Sequence, residues 1–509
     1  MVRMQRIATR LASRPRLISS CSRVTGFVAI LLSSFGSSAQ NNGAAAGKAQ
    51  YYHGTIGSTH EVQMTLFTHG KQLTGSYQYA SQRKAIELRG RILPSGDYEI
   101  DELNAHGQAT ATFTVNDLLG GGLNGTWLSG KKRLPVVLGE IQLAQLEQLY
   151  RMWSGSRKIT NIVVGPFSAC AMTGVGTLCW GTVSGSPSLA TLGPGRVAYV
   201  ALPQLSIPAD ITALALGDPT SCYVERGAVY CWQPNRGVLP LQTPTLIPGF
   251  ERNVTDVGIA GEYACAIVAR ALKCWPGAAL DEKTNLTTID SGVTRLSSGM
   301  PNCALTAKVL CWTLHYAAKT QKYEIGVHPI DGVSDQVTAL AAFDGLGSNT
   351  RFACAVEAGS LKCWGDDTSN ILLGRRGKLG FRDVPPGVMP SLETGIIDVS
   401  VQSDNACAIR DGSVLCWGSN WYGQSGNGTT GFTAGTGEVP LPARAVKVAV
   451  GGTYACALTA DNHVWCWGDN EFGQTGNTSK DTCELPNGQM PDTIPTPCNK
   501  RPVQVRGTP

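Results

Sequence analysis

Paired cysteines recur along most of this chain and constrain its fold more than any other feature. Seven of the seventeen cysteines are followed directly by tryptophan, and each of these has a partner cysteine 8 to 10 residues earlier. The pairs are Cys170 and Cys179, Cys222 and Cys231, Cys265 and Cys274, Cys303 and Cys311, Cys354 and Cys363, Cys407 and Cys416, and Cys456 and Cys466. Such constant spacing indicates one structural unit that is repeated seven times.

The spacing of each pair is typical of a β-hairpin. When a two-residue turn lies midway between residues i and i+9, the two residues face each other across antiparallel strands, roughly 4.5–5.5 Å apart at Cα. Between Cys407 and Cys416 the midpoint is Asp411-Gly412, which is among the strongest hairpin signals. The first pair has Gly174-Val175 at its centre, which predicts a type II′ turn, and the fifth pair has Ala358-Gly359.

We predict a disulfide within each of these hairpins, because facing residues lie in the distance range that a disulfide accepts. Two alternatives remain open, namely reduced cysteines buried as small apolar side chains and cysteines that bind a metal ion. Zinc ligands usually come in C-x₂₋₄-C pairs, a spacing that none of the seven pairs shows. Cys483 and Cys498 flank a proline-rich insertion and are predicted to form an eighth disulfide.

The repeat length predicts how the hairpins are assembled. The first cysteines of successive pairs are 52, 43, 38, 51, 53 and 49 residues apart, and a further β run precedes each hairpin. A period near fifty with strand content is typical of a solenoid or a propeller. We predict an all-β fold with a seven-bladed β-propeller over residues 158–509, in which residues 502–505 pair with the first blade and close the ring.

The amino-terminal residues 1–39 have the features of a signal peptide. Six arginines and no acidic residue precede a short apolar run, and Ser37 and Ala39 fit a cleavage after Ala39. An uncleaved membrane anchor is the alternative, although the run of about 13 residues is shorter than a spanning helix needs. We therefore expect a secreted, periplasmic or cell-surface protein with no membrane span after cleavage. The remaining 36 basic and 37 acidic residues nearly balance, so no nucleic-acid partner is expected.

Three segments separate this signal from the repeats. Residues 40–50 are predicted to be a linker, and residues 51–138 alternate in polarity between turn signals, which predicts a small antiparallel β-meander or barrel. Residues 139–157 carry an apolar helical face and are predicted to form a connecting helix. Four histidines in the second segment make a metal site conceivable, but we predict none, because most lie near turns; they are His53, His60, His69 and His106.

Two repeats resemble a known family. The segments CAIRDGSVLCWGSNWYGQSGNG (residues 407–428) and CALTADNHVWCWGDNEFGQTGN (residues 456–477) are similar to the regulator of chromosome condensation repeat. The resemblance implies a seven-bladed propeller over about residues 155–509, and its Gly-Gln loop is lost after Trp232, Trp275 and Trp312. The family's name implies nucleotide exchange on a nuclear GTPase, which conflicts with the predicted export. The family also includes secreted bacterial propellers, one of them a proteinaceous β-lactamase inhibitor.

The sequence therefore favours an exported, non-catalytic binding module that presents propeller-face loops to an extracellular or periplasmic protein or glycan. Trp421, Tyr422 and Phe472 lie in Gly-Gln loops outside the strand pattern and are the possible partner-binding residues. One alternative is an extracytoplasmic hydrolase or lyase that acts at the propeller channel, or at a metal site in the amino-terminal domain. Another is a proteinaceous enzyme inhibitor. No catalytic, cofactor-binding or metal-binding residue is predicted, because the periodic positions show no set of carboxylates or histidines at the channel.

Overall fold

A computed structural model describes residues 48–508 of the chain, with gaps at 58, 83, 119–121, 156, 182–197, 204, 206, 218–219, 233–243, 261–262, 277–288, 300–301, 318–321, 345–350, 367–383, 432 and 484–494. The predicted signal peptide and most of the predicted linker lie outside the described residues. Within the described part, no helix combines the length and the apolar character needed to cross a lipid bilayer.

The amino-terminal domain is a closed antiparallel barrel of eight strands. Its strands are β1 (Lys48–Ile56), β2 (His60–His69), β3 (Gln72–Tyr79), β4 (Ile86–Ile92), β5 (Tyr98–Leu103), β6 (Ala109–Leu118), β7 (Gly122–Ser129) and β8 (Lys132–Ile141). The barrel closes where β1 pairs with β8, from Tyr51 opposite Ile141 to Ile56 opposite Val136. The alternating polarity seen in the sequence therefore separates an apolar interior from a polar exterior.

The barrel interior is filled by large side chains and narrowed by glycines. Tyr52, Met64 and Phe113 are buried in its core. At Gly75 and Gly125 an added Cβ would lie 2.0 Å from a carbonyl oxygen of the neighbouring strand. Only glycine allows so close an approach between strands, which lets this small barrel coil tightly.

Two predicted boundaries are corrected by the strand pairing. Residues 48–50, predicted as linker, belong to β1, because they pair with residues 66–68 of β2. Residues 139–141, predicted as the start of the helix, belong to β8, because they pair with residues 51–53 of β1. The helix itself, α1, is Leu143–Ser154.

Helix α1 joins the barrel to the propeller. Leu146, Leu149 and Met152 pack into one cluster with strands of the first and last blades. On the barrel side, the Tyr150 hydroxyl bonds to Gln63 Oε1 at 3.0 Å, and the Trp153 indole N–H donates to Glu61 Oε1 at 2.9 Å. Most of the apolar face predicted from the sequence is thus covered at the junction of the two domains, whereas Leu143 at the start of the helix is 47% exposed.

The propeller has seven blades. Blade one contains β9 (Ile159–Val164), β10 (Ser168–Thr173), β11 (Gly176–Gly181) and β12 (Ala198–Pro203). Blade two contains β13 (Ile211–Ala215), β14 (Ser221–Glu225), β15 (Ala228–Trp232) and β16 (Thr245–Leu246). Blade three contains β17 (Val254–Ala260), β18 (Tyr263–Val268), β19 (Ala271–Pro276) and β20 (Ile289–Ser291).

A short segment of the chain passes from blade four to pair with blade five. Blade four contains β21 (Arg295–Leu296), β23 (Cys303–Leu305), β24 (Val309–Ala317) and β25 (Lys322–Pro329). Blade five contains β26 (Val337–Asp344), β27 (Arg351–Glu357), β28 (Ser360–Asp366) and β29 (Val384–Val388). Between them, β22 (Ser298–Gly299) follows β21 along the chain but pairs in parallel with β26. After Trp312, where the Gly-Gln loop is lost, β24 instead continues to Ala317 and pairs with β25.

Blades six and seven complete the ring. Blade six contains β30 (Ile396–Gln402), β31 (Asn405–Arg410), β32 (Ser413–Gly418) and β33 (Thr433–Val439). Blade seven contains β34 (Ala445–Val450), β35 (Tyr454–Thr459), β36 (Val464–Asp469), β37 (Asp481–Cys483) and β38 (Thr496–Gln504). The prediction that residues 502–505 join the first blade is wrong, because Val503 and Gln504 pair with Cys466 and Trp465 of blade seven.

The predicted hairpins are present in every blade. Four of their turns have positive φ at both central residues, which is the geometry of a type I′ turn; they are Arg226-Gly227, Ala269-Arg270, Ala358-Gly359 and Asp411-Gly412. The type II′ turn predicted at Gly174-Val175 is wrong, since positive φ occurs at the following Gly176 and not at Gly174.

Candidate binding surfaces of the propeller

The cysteines of the repeats lie in pairs at disulfide distance. Each predicted hairpin pair faces across its two strands, with Cα atoms 4.0–4.1 Å apart and sequence separations of 8 to 10. Cys483 and Cys498 form an eighth pair with Cα atoms 5.9 Å apart. Every blade therefore brings two cysteines to disulfide distance on its two middle strands, at the centre of the sheet.

The seven inner strands surround a central cavity of about 500 Å³. In six of them the pairing register shifts by one residue near the start of the strand. Such a bulge turns the extra side chain away from the sheet. The six bulged residues and the corresponding residue of blade four are solvent-exposed, and three of them, Thr338, Ile397 and Val446, line the cavity. The full set is Thr160, Thr212, Thr255, Thr294, Thr338, Ile397 and Val446.

This ring was not predicted from the sequence, although a signal for it exists. A β-branched residue followed by threonine begins four of the inner strands and directly precedes a fifth, β21, as Ile-Thr or Val-Thr. Blades six and seven replace the threonine by Ile397 and Val446, which are 53% and 48% exposed. The exposed residue at this position is therefore a threonine in five blades and an apolar residue in two.

The next residue of the inner strand lines the channel in six blades and is charged in four of them, at Asp256, Arg295, Asp398 and Lys447. Asp398 accepts a hydrogen bond from the Val448 N–H at 3.0 Å and lies 3.4 Å from Lys447 Nζ. Asp256 accepts from the backbone of Val257, and burial raises the pKa of its carboxyl group. Two of the seven blades thus place a carboxylate at this channel position, at Asp256 and Asp398. Asp398 holds the next blade in place, which is a structural role.

The Gly-Gln loops of blades six and seven have the same internal geometry. In blade six, Asn420 Oδ1 accepts from the Ser425 N–H at 2.8 Å, and Gln424 Oε1 accepts from the Tyr422 N–H at 2.8 Å. In blade seven, Asn470 and Gln474 make the corresponding bonds to residues 475 and 472. These buried amides stabilise the loop from within, so both loops present their outer side chains from a rigid frame.

Each of these loops also caps the tryptophan of the next blade. The Trp467 indole N–H donates to the Gln424 carbonyl at 2.8 Å, and the Trp180 indole N–H donates to the Gln474 carbonyl at 2.8 Å. An added Cβ at Gly426 would lie 2.8 Å from the Trp467 ring. Where the preceding blade lacks the motif, the indole N–H of Trp275 and of Trp312 finds no partner among the described residues.

The three predicted partner-binding aromatics are half-buried on this face. The Phe472 ring packs edge-on against Phe167 of blade one, with centroids 5.0 Å apart. Burial raises the pKa of the Tyr422 hydroxyl, and the carboxylates of Asp469 and Glu471 in blade seven raise it further. Trp421 precedes Tyr422 in the same loop. These aromatics therefore span the junctions from blade six through blade seven to blade one while keeping part of their surface exposed.

The histidines of the barrel do not converge. His53 is buried and its Nε2 lies 3.0 Å from Glu61 Oε1, whereas His60, His69 and His106 are exposed. In the part of the chain that the structure describes, no three side chains of the His, Cys, Asp and Glu types lie together as a metal site would require. The pair His53 and Glu61 contacts α1 through Trp153 and supports the domain junction.

The fold and its repeated hairpins define a seven-bladed β-propeller with a pair of facing cysteines in the hairpin of each blade. Residues 445–474, which span the first strands and the Gly-Gln loop of blade seven, match the family model of the Regulator of chromosome condensation (RCC1) repeat. The resemblance predicted from the sequence is confirmed for this repeat. A comparison with curated protein sequences gives no match.

Several solved structures are similar at low identity. Yeast RCC1 (Prp20), in its complex with Kap60, is 15% identical, and the match covers 69% of this chain and 75% of that chain with a TM-score of 0.37. Human WBSCR16 is 13% identical over 74% of this chain and 85% of its own, with a TM-score of 0.37. Prp20p from Saccharomyces cerevisiae, in a study of its binding to Gsp1p and histones, is 16% identical over 69% and 77%, with a TM-score of 0.36. Sequence identities and TM-scores this low carry no information about the partners of this chain.

Proposed function

We propose that this chain is an exported binding module that presents the Gly-Gln-loop face of its propeller to an extracellular or periplasmic protein. One observation carries the proposal, namely the row of half-buried aromatics at Trp421, Tyr422, Phe472 and Phe167 on internally bonded loops. Half-buried tryptophan and tyrosine on a rigid frame supply contact area at low cost in conformational entropy.

Two independent features support the proposed compartment. The basic and apolar amino-terminal segment is typical of a signal peptide. Eight cysteine pairs at disulfide distance are typical of proteins from oxidising compartments. We therefore place the mature protein outside the cytoplasm.

The charged channel supports binding more than catalysis. General acid–base chemistry needs a carboxylate that is free to reach a substrate. Asp398 instead accepts from the backbone of blade seven and contacts Lys447. The channel residues thus hold adjacent blades together, and the loop face remains the surface that fits a partner.

The proposal is tested with the mature full-length protein, recovered from the extracytoplasmic fraction, where its first residue is expected to be Gln40. The oxidised protein is immobilised and exposed to extracellular proteins of the source culture, and captured proteins are identified by mass spectrometry. We expect the double variant Trp421→Ala, Tyr422→Ala to lose at least about tenfold in capture of a specific protein, since truncation of such anchors commonly costs 2 kcal/mol or more.

The matched control is Val388→Ala, which removes a 43% exposed apolar side chain from the outer strand of blade five. This control should capture as the wild type does. Equal capture by the double variant and the wild type would refute the loop face as the binding site. Loss of capture after deglycosylation of the ligands would replace the protein partner by a glycan.

A further inference from the structure

One end of the barrel gathers aromatic rings around a carboxylate that the proposed function does not use. This barrel mouth is defined by Tyr79 at the end of β3, Ile86 at the start of β4, Glu102 in β5 and Trp127 in β7, with Leu134 beside Trp127 in β8. Register places them on the inner face, since Tyr77 is opposite Ile86 and Leu88 is opposite Glu102. All five are half-buried, so this end of the interior is reached by solvent.

Neutral donors hold the Glu102 carboxylate in place. The Tyr77 hydroxyl donates to Oε2 at 2.6 Å, and the Trp127 indole N–H donates to the same oxygen at 3.2 Å. The exposed Thr110 hydroxyl donates to Oε1 at 2.8 Å. Because burial and the bond to Glu102 raise the pKa of Tyr77 far above its ordinary value, this hydroxyl stays protonated and neutral.

The Glu102 carboxylate has no countercharge in the part of the chain that the structure describes. Among the described residues, no lysine, arginine or histidine forms an ion pair with Glu102. Glu99 differs from Glu102 in this respect, because it faces outward on the same strand and forms an ion pair with Arg91 at 2.7 Å. A half-buried carboxylate without a countercharge lowers its free energy when a cation binds beside it.

The walls around the carboxylate are aromatic. The Tyr79 ring lies 5.4 Å from the Tyr77 ring at an interplanar angle of 70°, and the His60 ring lies 6.1 Å from Tyr79 at 70°. The Trp127 ring approaches the carboxylate from β7 through its N–H. Faces of tryptophan and tyrosine attract cations, and such rings recognise quaternary ammonium groups.

We propose that the barrel mouth binds a methylated or quaternary ammonium group, with Glu102 as the countercharge and Tyr79 and Trp127 as the walls. The mouth of an eight-stranded barrel suits one small group of this kind. The site belongs to the barrel and is separate from the propeller loops, so its test is independent of the proposed propeller function.

The test uses the oxidised full-length protein with choline as the probe and 3,3-dimethylbutan-1-ol as its uncharged isostere. We expect choline to bind with a dissociation constant of about 1 mM or lower and the isostere to bind at least about tenfold more weakly, as a desolvated cation–π contact and a charge pair require. In the wild-type protein, the Trp127 indole N–H resonance, assigned with Trp127→Phe, should shift with choline and not with the isostere. This readout does not depend on the folding of a Glu102 variant.

Glu102→Gln keeps the shape of the side chain and removes its charge, and should weaken choline binding by about tenfold or more. Glu99→Gln is the matched control on the outer face of the same strand and should bind as the wild type does. Equal affinity for choline and its isostere, an unshifted Trp127 resonance, or equal losses in the two glutamine variants would each overturn the proposal.

Discussion

At the residue scale, the tryptophans that follow the second cysteine of each pair differ in whether their indole N–H is hydrogen-bonded. Trp180 and Trp467 follow blades with a Gly-Gln loop and donate to its carbonyl, whereas Trp312 follows a blade without the loop and its N–H is unpartnered within the described residues. All three rings are buried to within 2% of complete exclusion from solvent. The apolar contribution of these rings is therefore similar, and the hydrogen bond distinguishes them.

The first prediction compares two of these tryptophans. Trp467→Phe should destabilise the protein by about 0.5–1.5 kcal/mol more than Trp312→Phe, because only the first change removes a hydrogen bond and leaves the Gln424 carbonyl unpaired. Thermal melting of the oxidised full chain measures the difference. Since both substitutions remove the same atoms, Trp312→Phe is the control for lost volume, and equal melting temperatures would contradict the prediction.

At the element scale, the hairpin is the unit that the chain repeats. Its two strands face each other through paired cysteines, and four of its turns are held by the positive φ angles of residues such as Asp411 and Gly412. On the loop-entropy model, a bridge that closes about ten residues contributes roughly 2.5–3 kcal/mol by restricting the unfolded chain. Each blade therefore carries its own local constraint.

The second prediction concerns the loss of one hairpin disulfide. The double variant Cys407→Ala, Cys416→Ala should melt at a lower temperature and keep the propeller fold, because the other blades retain their bridges and the interblade packing remains. Differential scanning calorimetry and circular dichroism measure the two effects. A full reductant treatment is the control, since it should abolish the difference between variant and wild type; an unchanged difference would show that the cysteines do not act as a disulfide.

Whether a segment forms a hairpin, a strand or a helix could largely be predicted from the local sequence. The hairpins, the preceding β runs and the helix all follow from periodicity within about ten residues. The exact ends could not, because residues 48–50 and 139–141 become strand only when β1 pairs with β8 and β2. The type II′ turn at Gly174 was mispredicted, since the glycine with positive φ is Gly176, which packs against Met152 of α1 so closely that an added Cβ would lie 2.7 Å from its sulfur.

At the scale of the whole molecule, the ring closes through contacts between blade seven and blade one. The Tyr454 hydroxyl lies 2.9 Å from the Gly165 carbonyl oxygen and 2.7 Å from that of Ser168. Burial raises the pKa of this hydroxyl well above its ordinary value, so it remains a donor. The Ala201 N–H of blade one also donates to the Arg506 carbonyl at 2.7 Å, just beyond the last strand of blade seven.

The third prediction weakens this closure. Tyr454→Phe should raise amide hydrogen exchange in β9 and β10 by about fivefold, as expected for loss of one buried hydrogen bond of about 1 kcal/mol. Mass spectrometry of peptides from both sides of the junction measures the change. Peptides from β18 and β19 in blade three are the internal control, and an equal rise there would indicate general destabilisation instead of opening at the junction.

The repeating unit, the number of its copies and the cysteines that face each other could be predicted from the sequence alone, because these depend on residues that lie within one hairpin. The blade that receives the last strand, the indole N–H groups that are bonded and the positions of Asp256 and Asp398 became evident only in the folded chain. Those outcomes depend on residues that are tens to hundreds of positions apart and meet only when the ring closes. The carboxylate and rings of the barrel mouth meet for the same reason, since the strands from β3 to β7 must coil into a barrel before Tyr77, Glu102 and Trp127 can touch.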